Sequence, residues 1–508
     1  MKRVKSLFLN FLVLTATALI LQSISLAFRA YLAQTLGSEG LGLFQLTISI
    51  YFLAVTFATS GVRFTATRLV AEELGAGRQA GALKAVHACL LYAAAFGLVS
   101  MTLLNLGAGW IGTAWLNDAR TVLSLRLFAF SLPLVSVSSV LSGYFIAVRR
   151  ASNTAASQLF EQLIEVGTGV LFLRLFLPLG LEYACAAVVL GSDLGEIASC
   201  LLQFILYRAD RRRHRTDDGK PVPALTRRLF RIAAPVACSA YLSAGIRTVE
   251  QLLIPYGLKK NGATANVALS SFGEIQGMAM PLIMFPALLL GTALELILPE
   301  LAECRTGGCP RRLNYIIGRV FRIGILFSVC VMWIFLRFSG DLGSFVYHNA
   351  DASHLIRLLA ALTPFLYLDL IVDMILKGLG EQMSTMRYNL FTSSINVVLL
   401  YLLLPKYAIA GYLVTIYFTR ILNFLMSLNR LVSVTELSVG LSGIFRSVLC
   451  IIAATGFTDL LAGQLPSSSD PVSVFSQILM IVFFYLFFLR TLSLITHEDI
   501  EWGKSLLK

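Results

Sequence analysis

Long apolar segments follow one another nearly end to end along this chain of 508 residues. Most reach about 20 residues, the length at which a helix crosses roughly 30 Å of hydrocarbon. Lipid offers the backbone no hydrogen-bond partners, so segments that span it must be helices or closed barrels. Barrel strands would be about 10 residues long and alternate in polarity, which these segments do not. The pattern predicts an all-α, polytopic membrane protein.

The lengths of the apolar segments predict about fourteen transmembrane spans. Their expected limits are 6–29, 41–62, 84–106, 122–148, 153–178, 183–207, 230–255, 276–299, 315–337, 355–379, 384–404, 408–429, 442–463 and 473–492. The first apolar run is longer than that of a signal peptide, so we expect an uncleaved first span.

Composition and charge support a membrane location. The chain is 57% hydrophobic and 14% charged, whereas a soluble protein is about 25% charged. The net charge of +13 comes largely from basic residues in every second loop, most densely at 208–231, which indicates topology and not nucleic-acid binding. We therefore expect a multi-pass protein of the bacterial cell membrane with both termini in the cytoplasm.

One polar stretch resembles a linker and follows the first six predicted spans. It suggests an internal repeat, which is common in transporters. The predicted organisation is an N-terminal six-helix lobe at 1–210, a basic cytoplasmic linker at 211–229, a C-terminal six-helix lobe at 230–432, and two additional helices with a cytoplasmic tail at 433–508.

Ionisable residues lie deep inside several predicted spans. Asp369, Asp373 and Lys377 are spaced i, i+4, i+8, so they share one face of a helix. An intramembrane charge is costly and is rarely left facing lipid. This stripe either neutralises itself or contributes to a polar cavity.

Three arginines are candidate cavity groups for an anionic substrate. Arg247 lies well inside the seventh span, and Glu250 follows on the same face. The pair is either an internal ion pair or a substrate site, because a guanidinium donates two parallel hydrogen bonds to phosphate. Arg29 and Arg63 lie near span ends, where snorkelling to the interface is the alternative.

Two acidic pairs are candidates for a coupling cation, either H⁺ or Na⁺. Glu161 and Glu165 are one turn apart in the fifth span, and Asp193 and Glu196 are one turn apart in the sixth. They either bind the driving ion or pair with arginines of a facing helix.

The sequence offers no catalytic or nucleotide-binding constellation. Gly503-Lys504-Ser505 resembles the end of a phosphate loop, but Glu498 occupies the place of the first glycine. The histidines do not cluster with nucleophiles, and Cys304 and Cys309 share a basic loop without a histidine. We therefore expect a transporter with no catalytic residue, no cofactor and no metal site.

Several short segments resemble the stage V sporulation protein B group, a polysaccharide biosynthesis family within the multidrug/oligosaccharidyl-lipid/polysaccharide exporter superfamily. They are Leu36-Gly37-Ser38-Glu39-Gly40-Leu41-Gly42-Leu43-Phe44-Gln45-Leu46, Gly143-Tyr144-Phe145 with Ser157-Gln158-Leu159-Phe160-Glu161-Gln162, Glu250-Gln251-Leu252-Leu253-Ile254-Pro255, Gly277-Met278-Ala279-Met280-Pro281-Leu282 with Phe285-Pro286, and Leu376-Lys377-Gly378-Leu379-Gly380-Glu381-Gln382. Two positions depart from the group's pattern, Arg63 where proline is frequent and Glu165 where a basic residue is frequent.

The resemblance implies two six-helix lobes around a central cavity, two extra helices, and flipping of a lipid-linked oligosaccharide such as an undecaprenyl-pyrophosphate peptidoglycan or polysaccharide precursor. The implied partners are membrane lipid, the lipid-linked glycan and cell-wall synthesis proteins. A role in sporulation comes from the resemblance alone. Two alternatives remain open, a cation-coupled multidrug exporter of the same superfamily and a membrane-embedded glycosyltransferase.

Overall fold

The computed structural model consists of helices and their connections over the residues that it describes, 2–213, 225–435, 442–462 and 471–494, which confirms the all-α prediction. The α-helices are α1 (Lys2–Thr59), α2 (Val62–Gly75), α3 (Gln79–Trp110), α4 (Thr121–Ala147), α5 (Ala151–Phe176), α6 (Leu181–Arg213), α7 (Leu225–Lys260), α8 (Ala265–Phe272), α9 (Met280–Met284), α10 (Ala287–Thr306), α11 (Pro310–Leu342), α12 (Ala350–Ala360), α13 (Thr363–Gly378), α14 (Gln382–Thr435), α15 (Ser442–Ala462) and α16 (Pro471–Thr491).

The two longest helices each contain a break. α1 has 58 residues, which at 1.5 Å per residue would reach about 87 Å, nearly three times the hydrocarbon thickness. Gly37 interrupts it with φ 71° and ψ 178°. Ala408 interrupts α14 with φ 48° and ψ −130°, three residues after Pro405. The first break falls between the predicted spans 6–29 and 41–62, and the second at the first residue of the predicted span 408–429, so each lies where the chain must reverse direction across the membrane.

Ten helical segments in the described part of the chain are long and apolar enough to cross a membrane, or eleven if α12 and α13 form one span. The predicted number of fourteen is not confirmed. Length and composition do not divide a helix at a bend, so the segment from α1 through α2 and the whole of α14 each count once.

Two predicted spans are interrupted, and one of them is bent. α12 and α13 together cover the predicted span 355–379 and meet at an angle of 59°. Pro364 lies in the first turn of α13, where its missing N–H removes no helical hydrogen bond. The predicted span 276–299 is divided at Pro286, the N-cap of α10. Proline therefore marks the start of the second segment in both spans.

The chain forms two compact units. The first contains Met1–Phe28, Thr35–Tyr256 and Thr264–Gly273, and the second contains Arg29–Gln34, Gly257–Ala263 and Glu274–Lys508. The predicted boundary near residue 230 between two six-helix lobes stays a prediction, because these units are defined by packing and not by an internal repeat.

The first unit has a buried core where α2, α3 and α4 meet the end of α6 and the start of α7. Charged groups fix the start of α7 to α2. The Arg228 guanidinium donates to Glu73 Oε1 and to Glu72 Oε2, both at 2.7 Å. The Glu73 side chain is fully buried, so this paired carboxylate also restrains the position of α7.

In the second unit, the last two helices pack against α11. Trp333 Nε1 donates to Thr455 Oγ1 of α15 at 2.8 Å, and the Tyr485 hydroxyl of α16 donates to the Leu326 carbonyl at 3.0 Å. These indole and phenol groups satisfy their polar ends in an apolar setting.

Candidate functional site

The four predicted acidic residues of the first unit lie on facing surfaces of α5 and α6. The Glu161 side chain lies within interaction range of Ser199 and Glu196. Glu196 also lies within electrostatic range of Asp193 and Glu165. All four residues are partly buried. The structure therefore joins two pairs that the sequence placed on separate helices into one acidic cluster, defined here as Glu161, Glu165, Asp193 and Glu196.

Glycines allow α5 and α6 to approach closely enough for this cluster to form. A Cβ atom on Gly191 would lie 2.7 Å from the Cα of Gly169, and one on Gly195 would lie 2.9 Å from the Glu161 carbonyl oxygen. Side chains at these positions would hold the helices apart.

Hydroxyl groups of α1 and α4 complete the surroundings of the acidic cluster. Ser131 lies within interaction range of Asp193 and forms a hydrogen bond with the Tyr51 hydroxyl at 3.1 Å. Ser138 lies within interaction range of Glu196 and accepts a hydrogen bond from the Gln203 amide at 3.0 Å. One oxygen of Asp193 and one of Glu196 are buried without a hydrogen-bond partner among the described residues.

These partners were missed from the sequence. Ser131 and Ser138 are seven residues apart on α4, so they share one face of that helix. Tyr51 lies within the apolar sequence of α1. Hydroxyls at helical spacing within an apolar run were the available signal, but they identify no partner helix by themselves.

The predicted stripe on α13 belongs to the second unit and divides between two partners. Lys377 Nζ pairs with Asp373 on its own helix. Asp369 instead accepts two hydrogen bonds from the Asn423 amide of α14, at 3.0 and 2.9 Å. The Thr392 hydroxyl donates to Asn423 Oδ1 at 3.1 Å, which orients this amide toward Asp369.

The candidate arginines do not share one environment. Arg63 and Arg247 are exposed and belong to the first unit, whereas Arg29 is partly buried and belongs to the second. Arg247 Nε donates to the Ser243 carbonyl one turn earlier, at 3.4 Å. Glu250 is partly buried on the next turn. Arg29 lies within electrostatic range of Tyr347. The roles of these residues stay predictions.

No group of three or more histidine, cysteine, aspartate or glutamate side chains is arranged for a metal ion within the residues that the structure describes. The side chains at the two acidic sites are carboxyl groups, hydroxyls and amides. Such groups bind and release protons or accept hydrogen bonds from a cation.

The architecture is that of known membrane transporters. The chain resembles the solved structure of the Lipid II flippase MurJ in an inward closed conformation, with a TM-score of 0.71 and 13% identity over 95% of this chain and 99% of that one. It also resembles an inward-facing multidrug resistance MATE family transporter of the MOP superfamily, with a TM-score of 0.65 and 14% identity over 82% and 96%.

Sequence comparison defines the family. Residues 7–303 match the model of the polysaccharide biosynthesis protein family, which is more than half of the chain, and the protein belongs to that family. Residues 262–402 match the MatE model. The expected membership of the exporter superfamily is confirmed, and with it a multi-pass membrane transporter.

Two relatives come from Bacillus subtilis (strain 168). Stage V sporulation protein B is 23% identical over 498 residues, covering 96% of each chain. Sporulation protein YkvU is 20% identical over 402 residues, covering 77% of this chain and 87% of the relative.

Proposed function

We propose that this protein is a flippase that moves a lipid-linked oligosaccharide across the membrane by alternating access, and that the substrate carries a pyrophosphate such as that of an undecaprenyl-linked precursor. Family membership supports the polysaccharide pathway. We base the substrate class on one observation: Arg247 is an exposed cation on the predominantly apolar helix α7.

The position of Arg247 favours contact with an anionic ligand. It lies 17 residues after the start of the predicted span 230–255 and 8 residues before its end, so about 12 Å of helix separates it from the nearer end of the span. A charge at that depth does not face lipid without a large penalty. A pyrophosphate offers a guanidinium two parallel acceptor oxygens, which a neutral or cationic drug does not.

We propose that the acidic cluster binds the coupling cation and that this cation is a proton. Glu161 and Glu196 interact through their side chains, and two carboxyl groups this close in an apolar setting favour a state in which one of them carries a proton. The unpartnered oxygens of Asp193 and Glu196 provide further acceptors for a proton in transit.

A transport assay in proteoliposomes tests both the substrate and the coupling cation. A fluorescent lipid-linked oligosaccharide should change leaflet, and an inward or outward pH gradient should change the rate. Glu161→Gln should remove the response to the gradient while leaving folded protein. If the wild type moves a cationic dye and not the lipid-linked glycan, the protein is instead a multidrug exporter.

A glycosyltransferase would alter the glycan. Mass spectrometry of the lipid recovered from the same vesicles should show unchanged sugar composition. A glycan lengthened by a sugar from an added donor would contradict a flippase.

A further inference from the structure

A cavity of about 550 Å³ opens where five helices of the first unit end or begin. Its apolar wall includes Leu74 of α2 and Leu83 of α3. Three arginines also line it, Arg149 and Arg150 between α4 and α5 and Arg211 in α6. The volume lies within the range of roughly 300–1,000 Å³ that is typical of small-molecule sites. The acidic cluster, Arg63 and Arg247 do not line it.

A buried carboxylate fixes one side of this cavity. Asp210 is only 4% exposed. It accepts a hydrogen bond from the Tyr144 hydroxyl at 2.7 Å and pairs with the Arg150 guanidinium. Asp210 thus holds Arg150 in place, while Arg149 and Arg211 are exposed. With three arginines and one aspartate, the lining has a net positive charge.

The backbone presents Arg149 in an unusual way. Arg149 has φ 59°, and the next N–H, that of Arg150, donates back to the Phe145 carbonyl at 2.8 Å as α4 ends. Glycine or asparagine usually occupies this left-handed position after a helix. A side chain held there despite the backbone preference is an outlier of the kind found at ligand sites.

We infer that this cavity, with its apolar wall and three arginines, binds a phosphate group that is carried by an anionic membrane lipid or is free in solution. Guanidinium groups match phosphate oxygens in pairs. The basic loops predict that this end of the unit faces the cytoplasm, where the leaflet is negatively charged. This site is separate from the proposed transport path and does not depend on it.

The test measures binding by the purified full-length protein in neutral detergent. The probes are phosphatidylglycerol, phosphatidylcholine and inorganic phosphate, followed by native mass spectrometry and by thermal shift. The variant Arg149→Asn/Arg211→Gln removes two cations, and asparagine tolerates the left-handed backbone. We expect about tenfold weaker binding for each arginine removed.

A matched control is Arg227→Gln/Arg231→Gln, which removes two exposed cations of α7 that do not line the cavity. Selective binding of phosphatidylglycerol identifies a lipid headgroup, and binding of inorganic phosphate identifies a soluble ligand. Either result supports the site if only the cavity variant weakens it. Equal weakening by both variants, or no binding of either anion by the wild type, overturns the inference.

A second variant keeps the inference testable if Arg149→Asn/Arg211→Gln does not fold. Ala71→Trp fills the cavity from α2 and keeps every charge, whereas Ala95→Trp adds the same bulk at an exposed site of α3 away from the cavity. Ala71→Trp should weaken anion binding at least tenfold relative to Ala95→Trp. Equal affinities for this pair would show that the cavity is not the binding site.

Discussion

The side-chain amide of Asn423 donates hydrogen bonds to both carboxylate oxygens of Asp369, at 3.0 and 2.9 Å. The two residues are 54 positions apart, on α14 and α13. A carboxylate inside an apolar bundle needs donors, because its desolvation is otherwise uncompensated. Asn423 supplies them without adding a charge, and the Arg420 guanidinium lies within electrostatic range of the same carboxylate.

We predict that Asn423→Ala destabilises the protein by about 1.5–3 kcal/mol, the usual contribution of hydrogen bonds to a charged group. Thermal unfolding in detergent measures this loss. Asn389→Ala is the matched control, because Asn389 lies on the same helix and is exposed. Equal melting temperatures for the two variants would contradict the role assigned to this amide.

Close packing of α5 and α6 should depend on Gly191. A methyl group there would meet the Gly169 backbone at 2.7 Å, so Gly191→Ala should force the helices apart and destabilise the protein by about 1–3 kcal/mol. Gly167→Ala on α5 adds its methyl group where nothing lies within 4 Å and should be tolerated. Thermal unfolding of both variants tests this prediction, and a stable Gly191→Ala protein would refute it.

Glu381, between α13 and α14, should make stability sensitive to acid. The Arg430 guanidinium and then the Ser384 hydroxyl donate to it, and together they lower the pKa of its carboxyl below the usual value of 4.5. A lowered folded-state pKa stabilises the protein above the unfolded-state pKa. That stability is lost as the pH falls from about 4.5 through the folded-state value.

The measurement is the melting temperature between neutral pH and pH 3. The wild type should lose more stability in the acidic range than Glu381→Gln, which has no carboxyl to protonate. Glu303→Gln, at an exposed position of α10, should behave like the wild type. Parallel curves for the wild type and Glu381→Gln would rule out this contribution.

The contact between α1 and α8 should open during transport. The Ser38 and Ser270 hydroxyls are hydrogen-bonded, and a Cβ on Gly42 would lie 2.0 Å from the Leu269 carbonyl oxygen. Side chains this close permit a disulfide in Ser38→Cys/Ser270→Cys. Oxidation should stop flipping and a thiol reductant should restore it, with each single variant unaffected. Full activity of the cross-linked protein would show that this contact stays closed.

The all-α architecture could be predicted because lipid restricts spanning segments to helices or barrels and the apolar runs are of helical length. The breaks within α1 and α14 were harder to predict from the sequence. Gly37 is a residue that tolerates positive φ, but Ala408 is not, so the second break has no signal in the residue itself. Pro405, three residues earlier, was the nearest indication.

The candidate sites were predictable on each helix and not between helices. Spacing placed Glu161 with Glu165 on one face, but the meeting of Glu161 with Glu196 depends on how α5 packs on α6. Likewise the spacing of Asp369 and Asp373 suggested one stripe, whereas Asp369 bonds to Asn423. Periodicity along one helix carries no information about which distant helix faces it.

The most direct test of the central claim is flipping of a fluorescent undecaprenyl-pyrophosphate-linked oligosaccharide in proteoliposomes, measured by accessibility of the headgroup to an external quencher. The wild type should flip this lipid. Arg247→Ala should lose flipping while keeping its melting temperature, and Arg247→Lys should recover only part of it, because a lysine lacks the planar fork. Ser243→Ala, which retains the backbone carbonyl that Arg247 contacts, is the control. Flipping by Arg247→Ala at the wild-type rate, or no flipping by the wild type, would contradict the account.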